Sequence, residues 1–185
     1  ACGITTDTTP RDVPEANQQQ LGLNIDASAG ATAGSARIYL VAPTASGQSA
    51  ALQAVARNVR ETPAGVLTAL FAGVNAAERA RQFRSAIPSG LQLVSTRIVA
   101  GTLRLDLTPQ ILDVSGTDLV DAVAQIVFTV SQLDGVRDVE LTVAGQPQRW
   151  PTADGSLQST PLSVYDYPGL VSSAQPGYPA VPSQN

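Results

Sequence analysis

Histidine, lysine and methionine are absent from these 185 residues, and cysteine occurs once. Without histidine there is no Ser-His or Cys-His couple and no imidazole metal ligand. Without lysine there is no Schiff base, no Ser-Lys dyad and no P-loop lysine. All 11 cationic side chains are therefore arginines. Aromatic residues make up only 4% and charged residues 14%, against 43% hydrophobic, so a core must be assembled from Val, Leu, Ile and Ala. No apolar run approaches the roughly 20 residues of a membrane-spanning helix. Nor is there the basic stripe that nucleic-acid binding requires. Residues 1–34 set Asp7, Asp12, Glu15 and Asp26 against Arg11, a net −3, while residues 35–150 come to +1 and the remainder to −2. This length fits one domain with tails.

The lone cysteine is Cys2, within "ACGITTDTTP". It cannot close an internal disulfide, which leaves a buried thiol, a reactive nucleophile, intermolecular pairing or a modified terminus. The polar flank has no means of burying it. The order Ala1-Cys2-Gly3 resembles the end of a bacterial lipoprotein signal, in which a small residue precedes the cysteine that is acylated; a free thiol is the alternative. Lipidation at Cys2 with more than one acyl chain, such as palmitate, would tether the protein stably to the extracytoplasmic face of the cell membrane without spanning it. Residues 3–34, with "NQQQ" and "ASAGATAGSA", read as a flexible linker with a reach on the order of 30 Å.

From Ala36 the pattern changes. "ARIYLVA" suits a short strand buried on both faces, and "LQAVARNV" (52–59) is read as a second strand over a helix. Thr62-Pro63 supplies an N-cap and a first helical residue, Val66, Leu67, Leu70 and Phe71 an apolar stripe, and Gly73 a stop. Asn75 and Glu78 have the spacing of a capping box for a short second helix. In "LQLVSTRIVAGTLRLDL" a two-residue turn at Ala100-Gly101 pairs Val99 with Thr102, and counting outward Ile98 with Leu103, Thr96 with Leu105 and Val94 with Leu107, these last three along an apolar face. The other face sets Arg97 opposite Arg104, with Ser95 opposite Asp106. That face either binds an anionic group or is a solvated surface balanced by Asp106.

A second long helix is predicted over "SGTDLVDAVAQIVFTVSQL", with Leu119, Val120, Val123, Ile126, Val127 and Val130 buried and Phe128 on the opposite side as a contact residue. After the Asp134-Gly135 turn, "VRDVELTV" alternates as a half-buried strand. Trp150, Leu157, Leu162, Tyr165, Tyr167 and Leu170 can lay "PLSVYDYPGLV" back over the domain. It would either cover a strand edge or present Tyr165 and Tyr167 to glycan or a protein partner. Residues 172–185 read as a disordered tail. The order β-β-α-β-β-α-β implies an α+β two-layer sandwich, a small mixed sheet with helices packed on one face. Its limits are residues 35–171, after the 1–34 attachment segment.

The segments "ARIYLVA", "LQAVARNVRETPAGVLTALFAG" with Arg57 and Pro63, "SAIPSGLQLVSTRIVAGTLRLDLTPQ" and "LVDAVAQIVFTVSQLDGVRDVELTVAGQP" together resemble a GerMN module. This is the sporulation and spore-germination type domain that also occurs in envelope lipoproteins of actinobacteria. The likeness covers residues 36–147. It differs where Gly73 is followed by Val74 rather than Pro, and no second copy of the domain is present. The resemblance implies a fold similar to ring-building modules with no established catalytic residues, and it does not carry a germination role over to this chain; no cofactor is expected.

Chemistry by carboxylates alone is the remaining enzymatic option, since glycan cleavage needs only two acids. Asp106, Asp113, Asp118 and Asp121 are the candidates, yet helix-start electrostatics accounts for Asp118 and Asp121, and strand alternation for Asp106. "DVSGTD" lacks the ligand alternation of a calcium loop, and no metal site is expected. The reading is a non-catalytic, lipid-anchored envelope protein that contacts other envelope proteins or itself. A module binding peptidoglycan glycan or a small ligand is second, and a hydrolase a distant third. The candidate binding residues are Arg97, Arg104, Phe128, Tyr165 and Tyr167.

Overall fold

The structure, a computed structural model, describes residues 35–43 and 51–171. Cys2, the linker and the 172–185 tail lie outside the described residues. Strands β1 (Ser35–Ala42) and β2 (Ala51–Asn58) pair antiparallel from Ser35↔Asn58 to Ala42↔Ala51. Ile38 and Leu40 of β1 are fully buried while Arg37 is exposed and Tyr39 half-buried. Burial on both faces is therefore corrected to alternation along most of the strand, with Ala36, Ile38 and Leu40 enclosed on one face and only Val41, 1% exposed, on the other.

Helix α1 (Pro63–Phe71) starts as its sequence indicates, with Thr62 Oγ1 accepting from the Gly65 N–H at 3.2 Å and Pro63 in the first turn. Helix α2 (Ala76–Ala80) carries the reciprocal capping box: Asn75 Oδ1 accepts from the Glu78 N–H and Glu78 Oε2 from the Asn75 N–H, both at 2.9 Å. Helix α3 (Gly116–Val130) is buried around much more of its circumference than one stripe, and Asp121, Gln125 and Thr129 are enclosed together with its valines.

Those polar residues explain why β1 and β2 remain a separate ribbon. Gln125, Thr129 and Gln132 recur at helical spacing, so they share one face, and that face meets the outer edge of β1. Tyr39 N–H donates to Thr129 Oγ1 at 3.0 Å, while Gln125 Nε2 donates to Tyr39 O at 2.8 Å and Gln132 Nε2 to Arg37 O at 3.3 Å. Further along, Val41 and Arg84 exchange backbone hydrogen bonds at 2.9 and 3.0 Å. The outer-edge groups of Tyr39 and Val41 and the Arg37 carbonyl are satisfied by side chains and a loop rather than by another strand.

The second sheet has four strands. Strands β3 (Leu93–Val99) and β4 (Thr102–Leu107) are antiparallel about Ala100-Gly101. A 3-10 turn (Pro109–Asp113) and α3 then carry the chain over to β5 (Asp138–Val143), which lies parallel to β4. The two-residue strand β6 (Gln146–Pro147) folds back on β5. Leu103, Leu105, Leu107, Val139, Leu141 and Val143 form the packed face, each 4% exposed or less. The architecture is α+β, as expected, but its strands fall into a ribbon, a mixed four-stranded sheet and a small pair, β7 (Trp150–Pro151) with β8 (Leu157–Gln158). The C-terminal segment covers the free edge of β5. Val139 and Leu162 exchange N–H···O bonds of 2.7 Å, and Trp150 Nε1 donates to Leu141 O at 2.9 Å.

Both hairpin turns of the sheet read Val-Ala-Gly. Ala100 and Gly101 have φ of 51° and 88°, and Ala144 and Gly145 have 48° and 75°. Positive φ at both central residues belongs to a type I′ turn, in which alanine is strained and asparagine is not. Ala100→Asn is expected to stabilise the fold by about 0.5–1 kcal/mol, measured as an increase in the urea midpoint at unchanged slope.

Candidate functional site

On the solvent face of the four-stranded sheet, Arg97 lies opposite Arg104, and Arg104 lies opposite Glu140 on the neighbouring strand. Arg104 Nε and Glu140 Oε2 are 2.8 Å apart, with 52% and 40% of the side chains exposed, so the pair contributes little to stability. Asp106, expected to balance this face, is occupied elsewhere. Its Oδ1 accepts from Thr142 Oγ1 at 2.8 Å and from the Gly145 N–H at 2.7 Å, which fastens the second turn to β4. The balancing carboxylate is Glu140, which only the parallel pairing of β4 with β5 brings alongside. Among the described residues Arg97 has no ion-pair partner. It lines a shallow groove of about 500 Å³ with Arg104, Asp106 and Glu140.

The edge of this sheet departs most from expectation. The register of β3 and β4 matches the sequence reading from Val99↔Thr102 to Ser95↔Asp106, but a bulge then pairs Leu93, not Val94, with Leu107. The β4 half of the expected apolar face is buried; the β3 half is not. Val94 is 57% exposed, Ile98 43% and Val99 40%. The bulge displaces Val94 from the packed face, and as outermost strand β3 has a neighbour on one side only. Among the described residues no strand pairs with its outer edge.

The other candidate residues separate cleanly. Tyr167 is 1% exposed and its hydroxyl donates to Pro151 O at 2.8 Å. Burial pushes its phenol far above the usual range. It is a core residue, and its place as a binding residue is withdrawn. Tyr165, two residues earlier, is 88% exposed. Phe128 is half-buried against Tyr39, with ring centroids 5.4 Å apart and planes tilted by 42°. The ribbon covers the side of α3 that a one-stripe reading left open, so Phe128 is a packing residue too. Asp113 and Asp118 are exposed. Among the described residues no group of three or more His, Cys, Asp or Glu is placed to hold a metal ion, and no helix is long and apolar enough to cross a membrane.

The open edge at Val94, Ile98 and Val99 was missed because period-two alternation assigns a residue to a face and says nothing of how far the packed layer extends. The bulge carries no glycine or other local signal.

Comparison with known proteins bears on the fold. The tandem GerMN domains of the sporulation protein GerM from Bacillus subtilis superpose with a TM-score of 0.56 at 18% identity, covering 75% of this chain and 47% of that one. The chain thus spans about half the length of the tandem protein. The first GerMN domain alone superposes with a TM-score of 0.55 at 18% identity, covering 71% of this chain and 98% of that domain. No curated protein matches the sequence. Residues 37–149 match the family Germane, described as sporulation and spore germination. That match takes in the ribbon, all three helices and the four-stranded sheet, and the chain belongs to the Germane family of GerMN-type domains.

Proposed function

We propose that this domain acts by contact rather than catalysis: a lipid-anchored envelope protein, acylated at Cys2, that docks another protein along the outer edge of β3. The observation that carries this reading is the edge itself. A seven-residue strand that no other strand among the described residues pairs on its outer side presents three aliphatic side chains exposed by 57%, 43% and 40%. Exposed apolar edge strands invite strand addition unless they are guarded. Here the guards are Arg97 and the bulge at Val94, which restrict pairing to a partner that tolerates both. Cys2 followed by a polar linker supports attachment at the membrane, and the family supports a setting in sporulation or the cell envelope.

Crosslinking in intact membranes is expected to recover a protein partner or a second copy, and the Ile98→Lys, Val99→Lys variant is expected to lose it while keeping its fold, since both side chains are exposed. Recovery of the wild-type monomer alone would refute docking. An unmodified Cys2 thiol in the mass spectrum of native material would refute the anchor. A second reading, binding of cell-wall glycan, is favoured by the exposure of Tyr165. Co-sedimentation with purified cell wall that is lost in Tyr165→Ala would support it over the first.

A further inference from the structure

Between the first turns of α3 and the C-terminal segment lies a cavity of about 590 Å³ walled by Leu119, Val120, Pro151, Ala153, Leu157 and Leu170. Its size is that of a small-ligand site. Two acidic residues line it, Asp154 and Asp121, the latter only 2% exposed. The ion partner of Asp121 among the described residues is Arg84, whose Nη2 stands 3.5 Å from Oδ2, and Arg84 is itself 52% exposed. That distance is at the outer limit of a hydrogen bond, so the arginine compensates the buried charge poorly. Burial accordingly pushes the Asp121 carboxyl above its ordinary value, with Arg84 opposing and Asp118 reinforcing the shift.

The charges around the cavity decide the kind of ligand. Asp154 stands in the lining with Asp121, and Asp118 lies one turn before Asp121 in α3. Against these stand Arg84 and the positive end of α3, which amounts to about half a charge. The basin is net negative, so an anion is repelled, and a neutral apolar ligand would deepen the desolvation of Asp121 without pairing it. A cation with an apolar stem relieves both costs, because its methylenes cover the aliphatic walls while its head reaches the carboxylate. The lysine type fits better than arginine, since a compact ammonium needs no planar fork of acceptors.

We propose that this cavity binds the ω-ammonium group of an unbranched aliphatic chain, as carried by a lysine-type side chain or a free diamine, with the ammonium on Asp121 and the chain along Leu119, Val120 and Leu157. The site shares no residue with the β3 edge.

The test titrates the full chain with N-acetyl-lysine amide, N-acetyl-norleucine amide and 1,5-diaminopentane, following amide shifts by NMR. Saturable shifts at Val120, Asp121 and Leu157 are expected with the two amines, and binding at least tenfold weaker with the norleucine analogue, which keeps the stem and loses the charge. Asp121→Asn should weaken amine binding at least tenfold. Should that variant fail to fold, the comparison of ligands on the wild-type protein still decides. Tighter binding of the diamine points to a free polyamine, and tighter binding of the lysine amide to a peptide side chain. Equal binding of the norleucine analogue, or no saturable binding by either amine, would overturn the proposal.

Discussion

Replacing Arg57 by alanine is expected to lower the unfolding free energy by about 3–5 kcal/mol, the cost of leaving one member of a buried ion pair alone. Glu78 is 6% exposed and Arg57 approaches it with both terminal nitrogens, Nη1 toward Oε1 and Nη2 toward Oε2, the latter at 2.6 Å. Arg57 Nη2 also donates to Gly73 O at 3.2 Å, and the same Glu78 Oε2 accepts the Asn75 N–H of the capping box. One guanidinium therefore joins β2 to the end of α1 and the start of α2. For a chain of this size the loss corresponds to a melting temperature lower by about 10 °C or more. Removing both partners together, as Arg57→Met with Glu78→Gln, is expected to cost clearly less than the sum of the single changes, because no orphaned charge remains.

The acid limb of the stability curve tests the same pair. The hydrogen bond from Arg57 is the main cause that holds the Glu78 carboxyl below its ordinary value, and burial opposes it. A depressed carboxylate contributes stability that is fully present above the unfolded value and is lost as pH falls through the folded one. The wild type should therefore weaken below about pH 4.5. In Arg57→Ala that hydrogen bond is gone while burial remains, and only the Asn75 N–H and Arg81 still favour the carboxylate, so the depression shrinks and the variant should lose less stability on acidification than the wild type. Parallel acid limbs for the two proteins would contradict this account.

Tyr165 and Tyr167 are expected to respond differently to truncation. Tyr167→Ala should cost about 3–5 kcal/mol, as for other large buried aromatics, and Tyr167→Phe about 1–2 kcal/mol by leaving the buried Pro151 carbonyl without its donor. Tyr165→Ala should stay within about 0.5 kcal/mol of wild type. The difference arises in a single 3-10 turn, Val164–Asp166, whose cap is closed by Asp166 Oδ2 accepting from Ser163 N–H at 2.6 Å and Ser163 Oγ at 2.9 Å. The turn sends Tyr165 to solvent and Tyr167 inward against the core. Urea unfolding of the three variants measures all of this, and an equal effect of the two alanine changes would show that the segment does not pack as described.

Local signals were legible wherever the chemistry itself is local. Thr62, Pro63, Asn75 and Glu78 mark helix starts through hydrogen bonds spanning three residues, and the hairpin at Ala100-Gly101 follows from alternation on its two sides. Its twin at Ala144-Gly145 escaped notice because Gln146-Pro147 is too short to alternate. Burial was legible for residues inside a clear stripe, such as Val123 and Ile126, and illegible for Gln125 and Thr129 beside them. Their polarity suggests solvent until the unpaired edge of β1 appears as their partner.

The sequence by itself settled which chemistries this chain lacks the side chains to perform, where the helices at Thr62 and Asn75 and the turn at Ala100-Gly101 begin, and that its strands and helices mix in an α+β fold, because each depends on residue identity or on neighbours a few positions apart. Only the tertiary structure decided that Glu140 rather than Asp106 meets Arg104, that Tyr167 is enclosed while Val94 and Ile98 are exposed, and that a buried Asp121 faces a cavity. Each of these turns on which distant segment arrives beside a residue. That is set by the packing of whole faces and the need to satisfy every buried polar group, neither of which a local pattern encodes.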